Sequence, residues 1–235
     1  MRLQLELVRS KHLSVIGTMS ATVAHELRNP LADIAIGIHR IKKAINDPPL
    51  IEEILTVISS RVSESDQIIN DILKYSKETK IHCKPVKLNE ILRSVIDEAV
   101  QKLTIGKISI KDKIDCTKDL TIEADSVQIK EVFQNVLHNA LEAVHSDTGI
   151  IEIETNVDKS MVSILIKDNG EGISKKDLKN VASPFFTTKT KGTGLGLMLC
   201  KQVVGAHKGS LIIKSDKGKG TTVTITLPKT TKKDA

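Results

Sequence analysis

Three residues near the start of the chain, His25, Glu26 and Asn29 in the stretch VAHELRNPLADIA, bring together groups suited to nucleophilic work at neutral pH. A free imidazole titrates near about pH 6.5. At pH 7 one ring nitrogen is therefore unprotonated, while a neighbouring carboxylate holds or accepts the proton on the other. The zinc motif HExxH is excluded, because Asn29 stands where its second histidine would be. Taken alone, the trio is more often a plain solvated stretch of helix, so the rest of the chain has to decide.

A second set of chemistry-bearing residues lies downstream. Glu131, Asn135 and Asn139 recur every four residues, so on a helix their side chains converge along one edge. Amide and carboxylate oxygens of this kind suit Mg²⁺, with nucleotide phosphates and water completing its octahedron. The stretch IKDNGEGI then ends an apolar run in Asp168, followed by Gly170 and Gly172. A buried aspartate there would accept a hydrogen bond from an exocyclic amine such as adenine's, and the glycines would let a planar ring approach. Finally KGTGLGL places Gly192, Thr193, Gly194, Leu195 and Gly196 just before a helical pattern, where open backbone amides favour phosphate. The loop lacks the GK[ST] ending of a P-loop and the setting of a dinucleotide fingerprint. Pro184, Phe185 and Phe186 read as an anchor, and Lys189 and Lys191 as mobile cations, of a lid over phosphates.

The elements that must position these groups follow from periodicity. Apolar residues at Leu13, Ile16, Val23, Leu27, Leu31, Ile34, Ile38, Ile41 and Ile45, with Ser20 in phase, predict one amphipathic helix; Ile51, Leu55, Ile58, Val62, Ser65, Ile69 and Ile72 predict a second. Asn46–Pro49 breaks them, so they fold back as a hairpin. At about 100° per residue His25 points nearly opposite the seam, hence outward. Pro30 costs about 3 kcal/mol in a helix interior; it frees the carbonyl of Glu26 and marks a candidate bend. A hairpin buries one stripe per helix, so a homodimeric four-helix bundle is expected.

After Lys84–Pro85 the texture changes to short β-branched runs between helical stretches. Strands are expected at 108–111, 120–123, 150–156, 162–167, 210–214 and 222–227, and helices at 88–103, 126–145 and 195–206, with Asp125 as an N-cap. Irregular alternation predicts a mixed sheet in an α/β sandwich. The expected domains are therefore residues 1–82, a helical hairpin, and residues 83–235, with a hinge near Ile81–Pro85 and a frayed tail from Lys229.

Composition bounds the partners. Of 235 residues 40% are hydrophobic and 2% aromatic, so the cores are aliphatic and a base-stacking platform for nucleic acid is not expected. The net charge of +6 is compatible with phosphate-bearing ligands but decides nothing. Cys83, Cys116 and Cys200 are widely spaced, which fits a reducing, cytoplasmic compartment. No run is long enough to span a membrane, although a longer parent could carry a sensor or anchor in front. The other histidines, His12, His39, His82, His138, His145 and His207, have no metal-site spacing and read as surface or packing residues.

The motifs HELRNPL, NVLHNALEAV, DNGEGI and PFFTTK…GTGLGL, in that order, resemble the conserved boxes of sensor histidine kinases, most closely the nitrogen-regulatory and sporulation subgroup. The resemblance implies a dimerising phosphoacceptor hairpin followed by a Bergerat-type ATP-binding domain. It implies that His25 accepts the γ-phosphoryl group of ATP, with Glu26 as base or orienting acid, and passes it to an aspartate of a response regulator receiver domain. It further implies that Asn139 and Asn135 hold Mg²⁺ and that Asp168 binds the adenine amine. The glycine loops then enclose the nucleotide, and Thr222 lies near the base. Asn29 occupies the place used in the family to position water for dephosphorylating the regulator. A clamp-type ATPase of the same fold would carry glutamate where this chain has Asn135, and a non-enzymatic dimeric scaffold would not need intact motifs.

Overall fold

The computed structural model describes Gly17 and residues 20–44, 46–76, 80–103, 107–114, 120–158, 160–189 and 194–230. These fall into two compact units, one drawn from Met1–Glu78 with Pro184–Leu195, the other from Thr79–Ser183 with Gly196–Ala235.

The first unit is a helical hairpin of α1 (Ser20–Lys43) and α2 (Pro48–Ser76). Asp47 opens α2 by accepting the Leu50 amide at 3.2 Å, as a short polar residue at a helix start does. The two helices meet along Ile54, Ile68 and Tyr75, which are buried, together with Pro30 and Gly37 of α1. A Cβ on Gly37 would stand 2.8 Å from Ile58 Cγ1, so the backbones approach closely at that point. Arg61 of α2 adds a polar tie, pairing with Asp33 of α1 at 2.9 Å and with Glu64 at 2.6 Å. The expected seam is thereby corrected. Leu31, Ile38, Leu55, Val62 and Ile69 are exposed, because the apolar stripe of each helix is broad enough to have two edges and the hairpin covers only one. Leu13, Ile16 and Ile45 lie outside the described residues.

The second unit runs β1 (Lys84–Lys87), α3 (Leu88–Lys102), β2 (Ser109–Lys113), β3 (Thr121–Ala124), α4 (Ser126–Ala143), β4 (Ile150–Val157), β5 (Met161–Asp168), α5 (Lys175–Leu178), α6 (Gly196–Ala206), β6 (Ser210–Asp216) and β7 (Gly220–Pro228). Five strands form a mixed sheet in the order β2-β4-β5-β7-β6, with β2 and β4 parallel and the other pairs antiparallel. Alternation sorts its faces: Ile151, Ile153, Val162, Ile164, Ile166, Val223, Ile225 and Leu227 turn inward, while Glu152, Glu154, Lys167, Thr222 and Thr224 stand on the other side. The inward face is covered by helices, with α4 packed on α3, α6 and β5. Phe133, fully buried on α4, is the one aromatic in an otherwise aliphatic core.

Two further expectations change. Lys84–Lys87, expected within a hinge and linker, is a strand paired antiparallel with β3, Lys84 opposite Ala124, so Lys84 and Pro85 cannot serve as a pivot. Lys229 and Thr230, expected to fray, are bonded to Ser160 and Thr121 at 2.9 and 3.2 Å, because the end of β7 continues onto the small sheet; the residues beyond Thr230 lie outside the described ones.

Candidate functional site

In the first unit, His25 projects from α1 with 67% of its side chain accessible, as its angle from the seam requires. Nδ1 faces both neighbours, 3.9 Å from Glu26 Oε1 and 3.5 Å from Asn29 Nδ2. These are long contacts that orient the ring rather than bind it tightly. Among the described residues no hydrogen bond engages Nε2. An imidazole held through Nδ1 with Nε2 open is arranged to attack an electrophile. Pro30 is buried one turn further on, and α1 runs through it without interruption. In the same unit Phe185, whose φ is 60°, and the buried Leu195 line a cleft with Val23, Glu26, Ile68 and Ile72. Lys189 is exposed, with its amide on Thr187 Oγ1 at 3.1 Å; Lys191, Gly192 and Thr193 lie outside the described residues.

In the second unit, α4 begins with Asp125, whose Oδ1 accepts the Val127 and Gln128 amides at 3.2 Å each. Glu131, Asn135 and Asn139 follow along one half-buried edge of that helix, beside the core stripe of Val132, Val136 and Ala140. Gly196 opens α6 next to them: a Cβ there would lie 3.6 Å from Asn135 Oδ1. The first turn of α6 offers amides without intrahelical partners, so amide donors for phosphate and oxygen donors for a cation come together here.

Asp168 closes β5 at 4% exposure. Its Oδ1 accepts the amides of Gly170 at 2.9 Å and Thr221 at 3.1 Å, and among the described residues no hydrogen bond engages Oδ2. Burial pushes the carboxyl up from the ordinary range, against the opposing pull of those amides. The turn after it is tied down on both sides. Asn169 accepts the Ile150 amide at 2.7 Å and donates to Thr148 O at 3.0 Å, and the Glu171 amide reaches Ala143 O at 3.0 Å. Any side chain at Gly170 would strike the Ala143 carbonyl at 2.3 Å. Gly172, at φ +61°, is as close to the carbonyl of Asp216. The backbone itself is therefore the wall of this pocket. A buried aspartate with one oxygen available in a glycine-walled recess suits an exocyclic amine, and the donor set of α4 and α6 suits Mg²⁺ and phosphate.

Thr222 does not join this cluster. It pairs with Lys167 on the outward face, whereas Thr221 shares the inward face of Asp168, with its hydroxyl 2.9 Å from Ser215 Oγ. Counting back in twos from the buried Leu227, Ile225 and Val223 points to Thr221, and Asn169 was legible as the polar residue after the strand-closing aspartate.

Comparison with known proteins agrees with this geometry. Residues 16–80 match the His Kinase A (phospho-acceptor) domain, and residues 124–231 match the Histidine kinase-, DNA gyrase B-, and HSP90-like ATPase. Sporulation kinase C of Bacillus subtilis is 34% identical over 93% of this chain and 50% of its own length. AtoS of Escherichia coli, a signal transduction histidine-protein kinase, is 32% identical over 96% of this chain and 37% of its own. The structure of histidine kinase ThkA in complex with response regulator protein TrrA superposes with a TM-score of 0.81 at 32% identity, covering 97% of this chain and 66% of that one. ThkA's catalytic domain alone is 31% identical, with 99% of it covered. The chain belongs to the sensor histidine kinases of two-component signalling. It spans half or less of the length of the curated relatives named here.

Proposed function

We propose that the chain is an ATP-dependent histidine autokinase that phosphorylates His25 and passes the phosphoryl group to an aspartate of a response regulator. The carrying observation is the exposed imidazole of His25, with Nδ1 facing the Glu26 carboxylate at 3.9 Å and Nε2 open. Nε2 attacks the γ-phosphorus of ATP in line, the bond to the bridging oxygen breaks and ADP leaves; the proton stays on Nδ1, where Glu26 stabilises the charge. Asp168 takes the adenine amine through Oδ2, with Gly170, Gly172 and Thr221 completing the base recess. Glycine-loop amides and Lys189 neutralise phosphate charge. Asn139 and Asn135 would hold Mg²⁺, which when bound supplies further neutralisation of the triphosphate. The regulator partner is supported by ThkA's complex with TrrA.

The exposed edge of the hairpin is, in this reading, the face that a second copy covers to make a homodimeric four-helix bundle. In this reading the phosphoacceptor portion is residues 1–82 and the ATP-binding portion 83–235, and near their junction Lys80 and His82 are bonded to α4. No described helix is long and apolar enough to cross a membrane, and the reaction belongs on the cytoplasmic side, where ATP is found.

Incubation with γ-labelled Mg-ATP should give an acid-labile, base-stable label that His25→Ala abolishes; a labelled variant would falsify the assignment. In this reading Asn29, one turn from His25, positions water for dephosphorylating the regulator. Asn29→Ala should therefore slow that step by about tenfold or more while changing autophosphorylation about twofold or less. Equal losses in the two assays would count against this role.

A further inference from the structure

The carboxylate of Asp125 does more than cap α4. While Oδ1 takes the helix amides, Oδ2 accepts the His82 amide at 3.1 Å. Gln128 stands beside it, and its Nε2 donates to the carbonyl of Lys80 at 2.8 Å and to Asp125 Oδ2 at 3.2 Å. The amide of Asp125 itself donates to Nε2 of the buried His207, whose Nδ1 faces the Val203 carbonyl at 2.8 Å. The chain leaving the hairpin is thus bonded to the first turn of the helix that carries Asn135 and Asn139, and that turn is bonded to the end of α6. Burial opposes the charge on Asp125, yet the amides of His82, Gln128 and Val127 outweigh it and hold the carboxyl below the ordinary range.

The bonds also set a length. Ser76 ends α2 and Lys80 is the first residue clasped, so three residues, 77–79, join the two. Without the clasp the next fixed point is Lys84 of β1, and the joining segment grows to seven residues, 77–83. The effective concentration of one tethered group at another falls roughly as the −3/2 power of tether length, which for this change is about 3.6-fold.

We propose that Asp125 and Gln128 are positioning residues for His25 phosphorylation: they clasp Lys80 and His82 to the start of α4 and so keep the tether between the phosphoacceptor hairpin and the nucleotide site short. The proposal rests on the autokinase reading, and its test separates the two. Two variants of the full chain spare the fold. Asp125→Asn keeps an oxygen for the helix amides but turns an amino group toward the His82 N–H. Gln128→Ala leaves the cap untouched and removes the donor to Lys80.

In the Asp125→Asn, Gln128→Ala double variant, where both bonds are lost, hydrogen exchange of the His82 amide should quicken about tenfold or more, the affinity for a fluorescent ATP analogue should stay within about twofold, and the rate of His25 labelling at saturating ATP should fall roughly 3- to 4-fold. Gln128→Lys, which restores a donor at that place, should recover the rate. Unchanged His82 exchange would overturn the clasp. Quicker exchange with an unchanged labelling rate would overturn its positioning role, and a rate loss that follows weakened nucleotide binding would move the effect into the ATP site. A wild-type chain that takes no label on His25 would sink the autokinase reading and this proposal together, whereas a labelled wild type with unaltered variant rates sinks the proposal alone.

Discussion

The hairpin and the α/β unit solve the problem of burial in opposite ways. In α2 the buried side chains are Ile54, Ile68, Asp71 and Tyr75, while Leu55, Val62, Ile69 and Leu73 of the same helix stay exposed. The α/β unit closes a single aliphatic core around Phe133, with α4 burying Ile129, Val132, Val136, Leu137 and Ala140 along its length. Apolar surface left in water forgoes about 25 cal/mol for each Å² that a partner would cover. One unit therefore closes its core within a single chain, while the other leaves an apolar edge uncovered. This division suits the chemistry assigned to each: a pocket must hold its shape around a small molecule, whereas a phosphoacceptor helix must be reached by different partners in turn.

Three changes would break or sharpen this contrast. The largest effect is expected from Leu55→Glu with Ile69→Glu, which sets charges on the open edge of α2. Light scattering should then report a monomer at concentrations where the wild type is expected to dimerise, with nucleotide affinity retained within about twofold because the α/β core is separate. A persistent dimer would place the interface elsewhere. Next, Phe133→Ala should cost the α/β unit about 3–5 kcal/mol in a denaturant titration, the usual range for emptying a buried aromatic site. A loss below about 1 kcal/mol would mean that this core is not closed as described.

The third change, Asp168→Asn, keeps the acceptor for Gly170 and Thr221 but offers an amino group to the adenine amine. Affinity for ATP should fall by about 100-fold, as for a buried polar contact left unpaired. Because burial raises the folded-state pKa of Asp168, its ionised form is a cost to the fold. That cost is absent below the unfolded value near about pH 3.9 and grows as the pH rises through the folded value. Without nucleotide, the asparagine variant should thus melt above the wild type at pH 7 and converge with it near pH 4. A lower melting point at pH 7 would show that the carboxylate supports the fold rather than strains it.

Much of this architecture was legible from periodicity, and the misses have physical causes. Long helices announce themselves by repetition, so α2 and α4 were read to within a few residues and α1 over its described length. The strand β1 was not, because KPVK has four residues and a proline, and only its remote partner β3 makes it a strand. Thr222 was one place off because a strand changes face at every residue. His25 could be aimed by angle alone, but the breadth of the apolar stripe could not be divided between hairpin and solvent without knowing which edge Pro30 and Gly37 occupy. Asp125 was readable as a cap; its second oxygen binds a residue 43 positions away, which no local pattern encodes.

The close packing of Pro30 and Gly37 into the hairpin bears on the order of the helix that carries His25. Proline and glycine are the poorest helix formers, costing about 3 and 1 kcal/mol relative to alanine, and here they stand seven residues apart in one 24-residue helix. That helix draws its regularity from what it leans against rather than from its own propensity. Amide exchange around His25 should accordingly be among the first in the chain to report any loosening of Ile54, Ile58 or Ile68 on the opposite helix. A disturbance arriving at either end of the hairpin would thus be expressed as a change in how often the segment bearing His25 is helical at all.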